Sequence, residues 1–235
     1  MTKATIKGFK CAGLHSGIKK SGAFDLGLIV AERPVPCAGV FTTNQVVAAP
    51  VTQSRARLIE CGLAQAIVVN SGNANACTGA DGARDALKMA ELMADVCGCD
   101  VQHVQVCSTG VIGAPLPMAK MKSGIRSAAL NLDVGHFEDF ADAILTTDTR
   151  RKVEGGAVNI GGREIHILGA SKGAGMIHPN MATMLGFILT DAPIEKTDLD
   201  TLWRRVCAQT FNAITVDGDT STNDTALIMA SGAAG

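Results

Sequence analysis

Apolar and polar positions change period several times along this chain, and the changes mark its elements. Two apolar runs, "AFDLGLIVAE" (Ala23–Glu32) and "CAGVFTT" (Cys37–Thr43), read as two strands parted by a turn at Pro34 and Pro36. "SRARLIECG" predicts a short helix stopped at Gly62, and "QAIVVNSGN" a buried strand running into a Gly/Asn turn. "DGARDALKMAELMADVCG" is the clearest helix. Ala83, Ala86, Leu87, Ala90, Ala94 and Cys97 recur close to a 3.6 period, and Gly98 supplies the stop. "VQVCSTGVIG" again reads as a strand entering a glycine turn.

Helices follow at "PMAKMKSGIRSAALNL" and "HFEDFADAILTTD", then a hairpin centred on Ile160–Gly162 within "KVEGGAVNIGGREIHILGAS". "MLGFILTDA" is an apolar strand. "DLDTLWRRVCAQTFNAI" predicts a helix capped near Thr197 or Asp198. "TVDGDTSTNDTALIMASG" predicts a strand, a polar loop and an apolar segment. Strands and helices alternate loosely around an inserted hairpin. The expected class is therefore α/β, a layered sandwich of mixed sheets and helices. The chain stops at Ala234-Gly235, directly after an apolar run, so we expect a piece of something longer.

Composition narrows the function. At 235 residues the chain is long enough for a sizeable core, and 47% hydrophobic with 18% charged residues fits a folded domain. The net charge of −1 comes from interspersed acids and bases, and aromatics are 3% with no tyrosine. Neither a basic stripe nor a stacking platform is present, which argues against nucleic acid. No apolar run reaches the ~20 residues of a membrane span, and "MTKATIKGFK" has no apolar core of a secretory signal. The expected location is the cytoplasm. The eight cysteines form no Cys-x-x-Cys pair, so no metal is expected and they read as small buried hydrophobes.

Candidate chemistry centres on "KGAGMIHPNMATMLGF", Lys172 to Phe187, where Thr183 stands among small residues. A threonine hydroxyl is a weak nucleophile without a base. His178 is a poor candidate, because Pro179 intervenes. Cleavage between Ala182 and Thr183 would instead free an α-amine, of pKa roughly 7.7–8.0, to serve as base for its own hydroxyl. A plain glycine-rich loop leading into a strand fits the same pattern. "CSTGVIG" (Cys107–Gly113) offers backbone N–H groups and a hydroxyl at a strand end, suited to an oxyanion hole, a phosphate turn or an ordinary strand–helix turn. The asparagines of "NSGNANACTG" could order a polar site or simply hold a loop. "TTDTR" (Thr146–Arg150) reads as a helix end. "TVDGDTSTND" lacks the distal glutamate of a calcium loop.

"GMIHPNMATML", "VNSGNANACTG", "CSTGVIG" and "DGDTSTNDT" together, in this order, resemble the ornithine acetyltransferase family, the glutamate N-acetyltransferases of arginine biosynthesis. The resemblance runs from about Gly8 to the end. It implies an α/β sandwich distinct from the usual N-terminal-nucleophile hydrolase topology. It also implies a precursor that cleaves itself before Thr183, giving 1–182 and the start of a second chain at 183–235, associated as α2β2. Thr183 would take acetyl from N-acetylornithine and pass it to glutamate, with Thr109 and Gly110 as oxyanion hole and Thr146 and Lys172 binding substrate. No cofactor is implied; acetyl-CoA is a donor in some relatives and not others. Family members continue well beyond Gly235 and draw further substrate-binding residues, including a glutamate, from that part. Two other readings stand beside this one: a related threonine amidase or aminopeptidase with water as acceptor, and an inactive remnant.

Overall fold

The computed structural model describes residues 5–175, 184–215, 217 and 219–235. One continuous sheet path organises them, in the order β4-β3-β2-β8-β7-β6-β5, with β1 paired to β2. The strands are β1 (Phe9–Leu14), β2 (Leu26–Phe41), β3 (Leu63–Asn73), β4 (Val104–Val111), β5 (Lys152–Ile160), β6 (Arg163–Lys172), β7 (Leu185–Thr190) and β8 (Thr225–Ala230). The helices are α1 (Ala49–Cys61), α2 (Gly79–Cys97), α3 (Met118–Leu130), α4 (Phe137–Ala143) and α5 (Lys196–Gln209).

The long strand β2 creates the layers. Its first part pairs antiparallel with β1 and β3, its last part with β8, and the register with β3 breaks between Val30 and Val35. Two strands parted by a proline turn were expected there; one bent strand is found. The prolines explain both. Pro34 supplies no N–H and falls where the ladder with β3 is interrupted, while Pro36 pairs with Leu63 once it resumes, so the chain bends without ending the strand. The two halves of the sheet then face each other. Ile29, Ile67 and Val69 from one half share a core with Leu168, Phe187, Leu189 and Leu227 from the other, and α4 adds Phe137 and Phe140. Phe140 meets Phe187 edge-on at 5.1 Å between ring centroids. A second core joins α2 and α3 to the outer face of the first half, and a third joins α5 to the outer face of the second. The result is the expected layered α/β sandwich.

Several local expectations hold for the reasons given. Helices α1 and α2 both end at a left-handed glycine, Gly62 and Gly98. The β5–β6 hairpin turns through Gly161 and Gly162, at φ 59° and 81°, the paired positive angles of a tight hairpin turn. Others need correction. Helix α2 buries Gly82, Ala86, Met89, Ala90 and Met93, whereas Ala83 and Leu87 face solvent. The unbranched methionines fill the core more fully than the alanine stripe, and this rotates the buried face. Helix α5 begins at Lys196 with no side-chain cap, so neither Thr197 nor Asp198 serves as one. Thr215 begins no strand among the described residues; a 3₁₀ turn at Phe211–Ala213 comes before it.

The edge strand β4 is covered by α1. Ser54 Oγ both donates to the Val106 carbonyl and accepts its N–H, at 2.8 Å each, and Arg57 donates to the Val104 carbonyl at 3.2 Å. Between these contacts lies Gln105, fully buried, with neither side-chain amide atom partnered among the described residues. A buried amide of this kind costs about 1–3 kcal/mol. Gln105→Met is therefore expected to raise the urea midpoint of unfolding. A lower midpoint would mean that an ordered water satisfies the amide.

Candidate active site

The site lies between the two sheet halves, where the ends of β4 and β6 come together. Strands β3 and β4 are parallel, and they end side by side at Gly72 and Gly110. Thr109 lies at this end of β4 and is buried. From the opposite half, Lys172 at the end of β6 reaches across, and its Nζ donates to Thr109 Oγ1 at 2.6 Å. Lys172 is itself only 4% exposed. Burial pulls its amine down from the ordinary 10.5 to about 8, against the opposing pull of Asp148 and Asp224. One hydrogen bond thus joins two residues that the sequence singled out 63 positions apart.

A buried polar network holds the strand ends in place. Ser108 Oγ donates to Asn70 Oδ1 at 2.6 Å, and Asn70 Nδ2 donates to the Asn73 carbonyl at 2.8 Å. Asn73 Nδ2 reaches the Ala114 and Pro115 carbonyls, and Asn75 Nδ2 reaches Gly82. Asn223, just before β8, donates to the carbonyls of Ala74 and Ser108. These asparagines tie loops together, the second of the two roles open to them from sequence. Asn75 and Cys77 both take positive φ, as that turn-rich stretch requires.

Thr183, Ala182 and His178 lie outside the described residues. Both flanks of their segment are fixed near these strand ends. On one side, Asp148 Oδ1 accepts the Gly173 N–H at 2.9 Å. On the other, Asp224 Oδ1 accepts the N–H of Met184, the residue after Thr183, at 2.9 Å, and Thr225 N–H donates to the Met184 carbonyl. Thr146 is exposed, and its N–H points to Asp148 Oδ2 at a long 3.5 Å.

Sequence reading missed three buried carboxylates here. Asp148 was hidden in "TTDTR" behind the expectation of a solvated helix end; α4 in fact stops at Ala143, so Asp148 is free to turn inward. Burial pushes its carboxyl up, but hydrogen bonds from Lys152 and Gly173 outweigh this and hold it below the usual range. Asp224 was read as part of a polar loop, yet it is 1% exposed. Asp25 orders the loop over Gly72: it accepts from Ser16 N–H, Ser16 Oγ and Lys19 N–H, and Ile18 and Lys19 of that loop pack at Gly72. Against the upward push of burial, those bonds leave Asp25 below its ordinary value.

A hydroxyl held from behind by a buried cation, beside a glycine strand end, is suited to stabilising negative charge next to it. The family model for ArgJ matches residues 10–235. The chain belongs to the ArgJ family. It is 53% identical over 228 residues to the arginine biosynthesis bifunctional protein ArgJ of Caldanaerobacter subterraneus subsp. tengcongensis, covering 97% of this chain and 56% of that protein. The Geobacter sulfurreducens ArgJ is 50% identical over 230 residues, covering 98% and 58%. The chain thus spans a little over half the length of the curated ArgJ proteins it matches.

Among solved structures, the Bacillus halodurans ArgJ superposes with a TM-score of 0.71 at 40% identity, covering 77% of this chain and 96% of that one. The Mycobacterium tuberculosis ornithine acetyltransferase, solved with ornithine, gives 0.66 at 36%, covering 76% and 96%. An Ochrobactrum anthropi aminopeptidase/amidase, described as a new variant of the Ntn-hydrolase fold, gives 0.58 at 14% over 98% and 76%, which shows a shared ArgJ-like fold alone. No helix among the described residues is long and apolar enough to cross a membrane.

Proposed function

We propose that this chain carries the nucleophile and oxyanion hole of a glutamate N-acetyltransferase that moves acetyl from N-acetylornithine to glutamate through an acetyl-Thr183 intermediate. The carrying observation is the bond from Lys172 to Thr109, with both flanks of the Thr183 segment tied beside it. Lys172 occupies a lone pair of Thr109 Oγ1 as donor. The Thr109 O–H then remains available to donate, next to Gly110. That is the arrangement a tetrahedral acetyl intermediate needs.

The reaction follows in two halves. Hydrolysis of Ala182–Thr183, with one water added across the bond, leaves a carboxylate on Ala182 and frees the Thr183 amine. The amine takes the hydroxyl proton as Oγ1 attacks the acetyl carbonyl of N-acetylornithine. The oxyanion collapses, the C–N bond breaks, and ornithine leaves with the proton. Glutamate's amine then attacks the acetyl ester and restores the hydroxyl. No cofactor takes part, and acetyl-CoA is at most a second acetyl donor. We place the protein in the cytoplasm as a self-associated α2β2-type assembly, acting on N-acetylornithine and glutamate, with Thr146 among the substrate contacts.

Chain lengths support the cleavage. The solved ArgJ-family chains are shorter than this one, since about three quarters of it covers 96% of them, whereas the curated relatives are much longer. A precursor divided into two chains would give that combination. The test is the mass of the denatured protein. We expect pieces 1–182 and 183–235 from the wild type, and one uncut chain from Thr183→Ala that takes up no acetyl from N-acetylornithine. An acetylated Thr183→Ala protein would sink the reading. Release of free acetate, with glutamate unacetylated, would turn it toward an amidase.

A further inference from the structure

Asp148 lies two residues beyond the exposed Thr146, yet its side chain is fully buried. Its Oδ1 accepts from Gly173 N–H at 2.9 Å and from Lys152 Nζ. Lys152 Nζ also donates to the Gly173 carbonyl at 3.1 Å. Carboxylate, ammonium and peptide thus close a clamp on both polar groups of the residue that follows Lys172. Resting on the acetyltransferase reading above, we propose that Asp148 is a positioning residue for acetyl transfer: through Gly173 and Lys152 it fixes the end of β6, so that Lys172 stays against Thr109.

The clamp also sets the charge around the Lys172 amine. Among the described residues, four charged groups act on it. Asp148 comes from the segment after α4, Asp224 from just before β8, Lys152 from β5, and Lys19 from the β1–β2 loop. The acids favour the ammonium and the lysines oppose it. Lys19 is held in place by its own bonds to the carbonyls of Phe24 and Leu145, at 2.6 Å each. An anchor for the β5–β6 hairpin alone would need none of this. With the fold intact it would leave kcat near wild type, whereas a positioning residue lowers kcat with KM little changed.

The experiment follows the Lys172 amine by NMR in the full chain carrying isotope-labelled lysine, with the resonance assigned by its absence in Lys172→Arg. Asp148→Asn keeps an acceptor for Gly173 but removes an anion, so the Lys172 midpoint is expected to fall by about one pH unit. Lys152→Met removes a cation and is expected to raise it. This second variant decides the question even where Asp148→Asn does not fold. In acetyl transfer, both variants are expected to lose ~10–100-fold in kcat with a smaller change in KM, the signature of lost orientation. Lys152→Arg should recover most of that loss. A wild-type kcat in both folded variants, or a loss that Lys152→Arg does not recover, would overturn the proposal. A wild type that transfers no acetyl would sink the acetyltransferase reading instead, and the titration would still report on Asp148.

Discussion

Gly110→Ala is expected to dismantle the end of β4, costing the fold at least ~3 kcal/mol and abolishing cleavage and transfer. Gly110 has φ +133°, and a Cβ built there would lie 2.4 Å from the Gly72 carbonyl carbon and 2.5 Å from the Asn73 nitrogen. Both are backbone atoms of the neighbouring parallel strand, so no rotamer change relieves the contact. Relief requires β3 and β4 to part where Thr109 is presented. Gly113 provides the control. It also has positive φ, at +82°, but a Cβ there meets nothing within 4 Å. Gly113→Ala should therefore show backbone strain alone, about 1–2 kcal/mol. Urea unfolding of the three proteins separates the two effects. Equal losses in both variants would mean that φ, and not the approach of β3, makes Gly110 necessary.

This pair of glycines also shows where sequence reading succeeds and where it stops. "CSTGVIG" announced a strand ending in a turn, and the turn is there. Nothing in the letters said that Gly110 abuts Gly72 from another strand. The same holds for Lys172 and Thr109. Each was legible as a site residue through its motif, but their contact depends on the bend of β2, which lays the two sheet halves face to face. Local periodicity cannot report that bend. Two prolines suggested a break, because a missing N–H looks the same at a turn and at a bulge. Asp148, Asp224 and Asp25 were illegible for a related reason. An acid in a polar stretch, or a lone one in an apolar strand, gives no sign of its role until its donors are known, and here the donors are Gly173, Met184 and Ser16, all distant in sequence or on other elements. Even the methionine face of α2 followed from what packs against it, not from its own best stripe.

Lys172→Met is expected to cut acetyl transfer by ~10²–10³ and, below pH 8, to stabilise the fold. The amine is depressed to about 8 chiefly because it is buried. Each pH unit of such depression corresponds to ~1.4 kcal/mol spent on keeping the charged form in place. Methionine fills similar volume without charge. It forfeits the bond to Thr109, worth about 0.5–1.5 kcal/mol, so a net gain of roughly 2–3 kcal/mol at pH 7 is expected. The pH dependence carries the proof. A base whose folded pKa lies below its unfolded value binds fewer protons folded than unfolded between the two. Wild-type stability therefore rises with pH from about 8 toward 10.5 as the buried amine goes neutral. Lys172→Met lacks that rise, so the gap between the two proteins should close when melts are repeated near the upper end of this window. A gap that stays constant would mean that Lys172 imposes no charge penalty. Activity should fall by ~10²–10³ at pH 7, where the wild-type amine is charged and the hydroxyl of Thr109 loses the cation behind it, and by less as the pH rises past 8. A more stable protein with little activity left is the outcome to expect when a fold buries a charge for its site and not for its core.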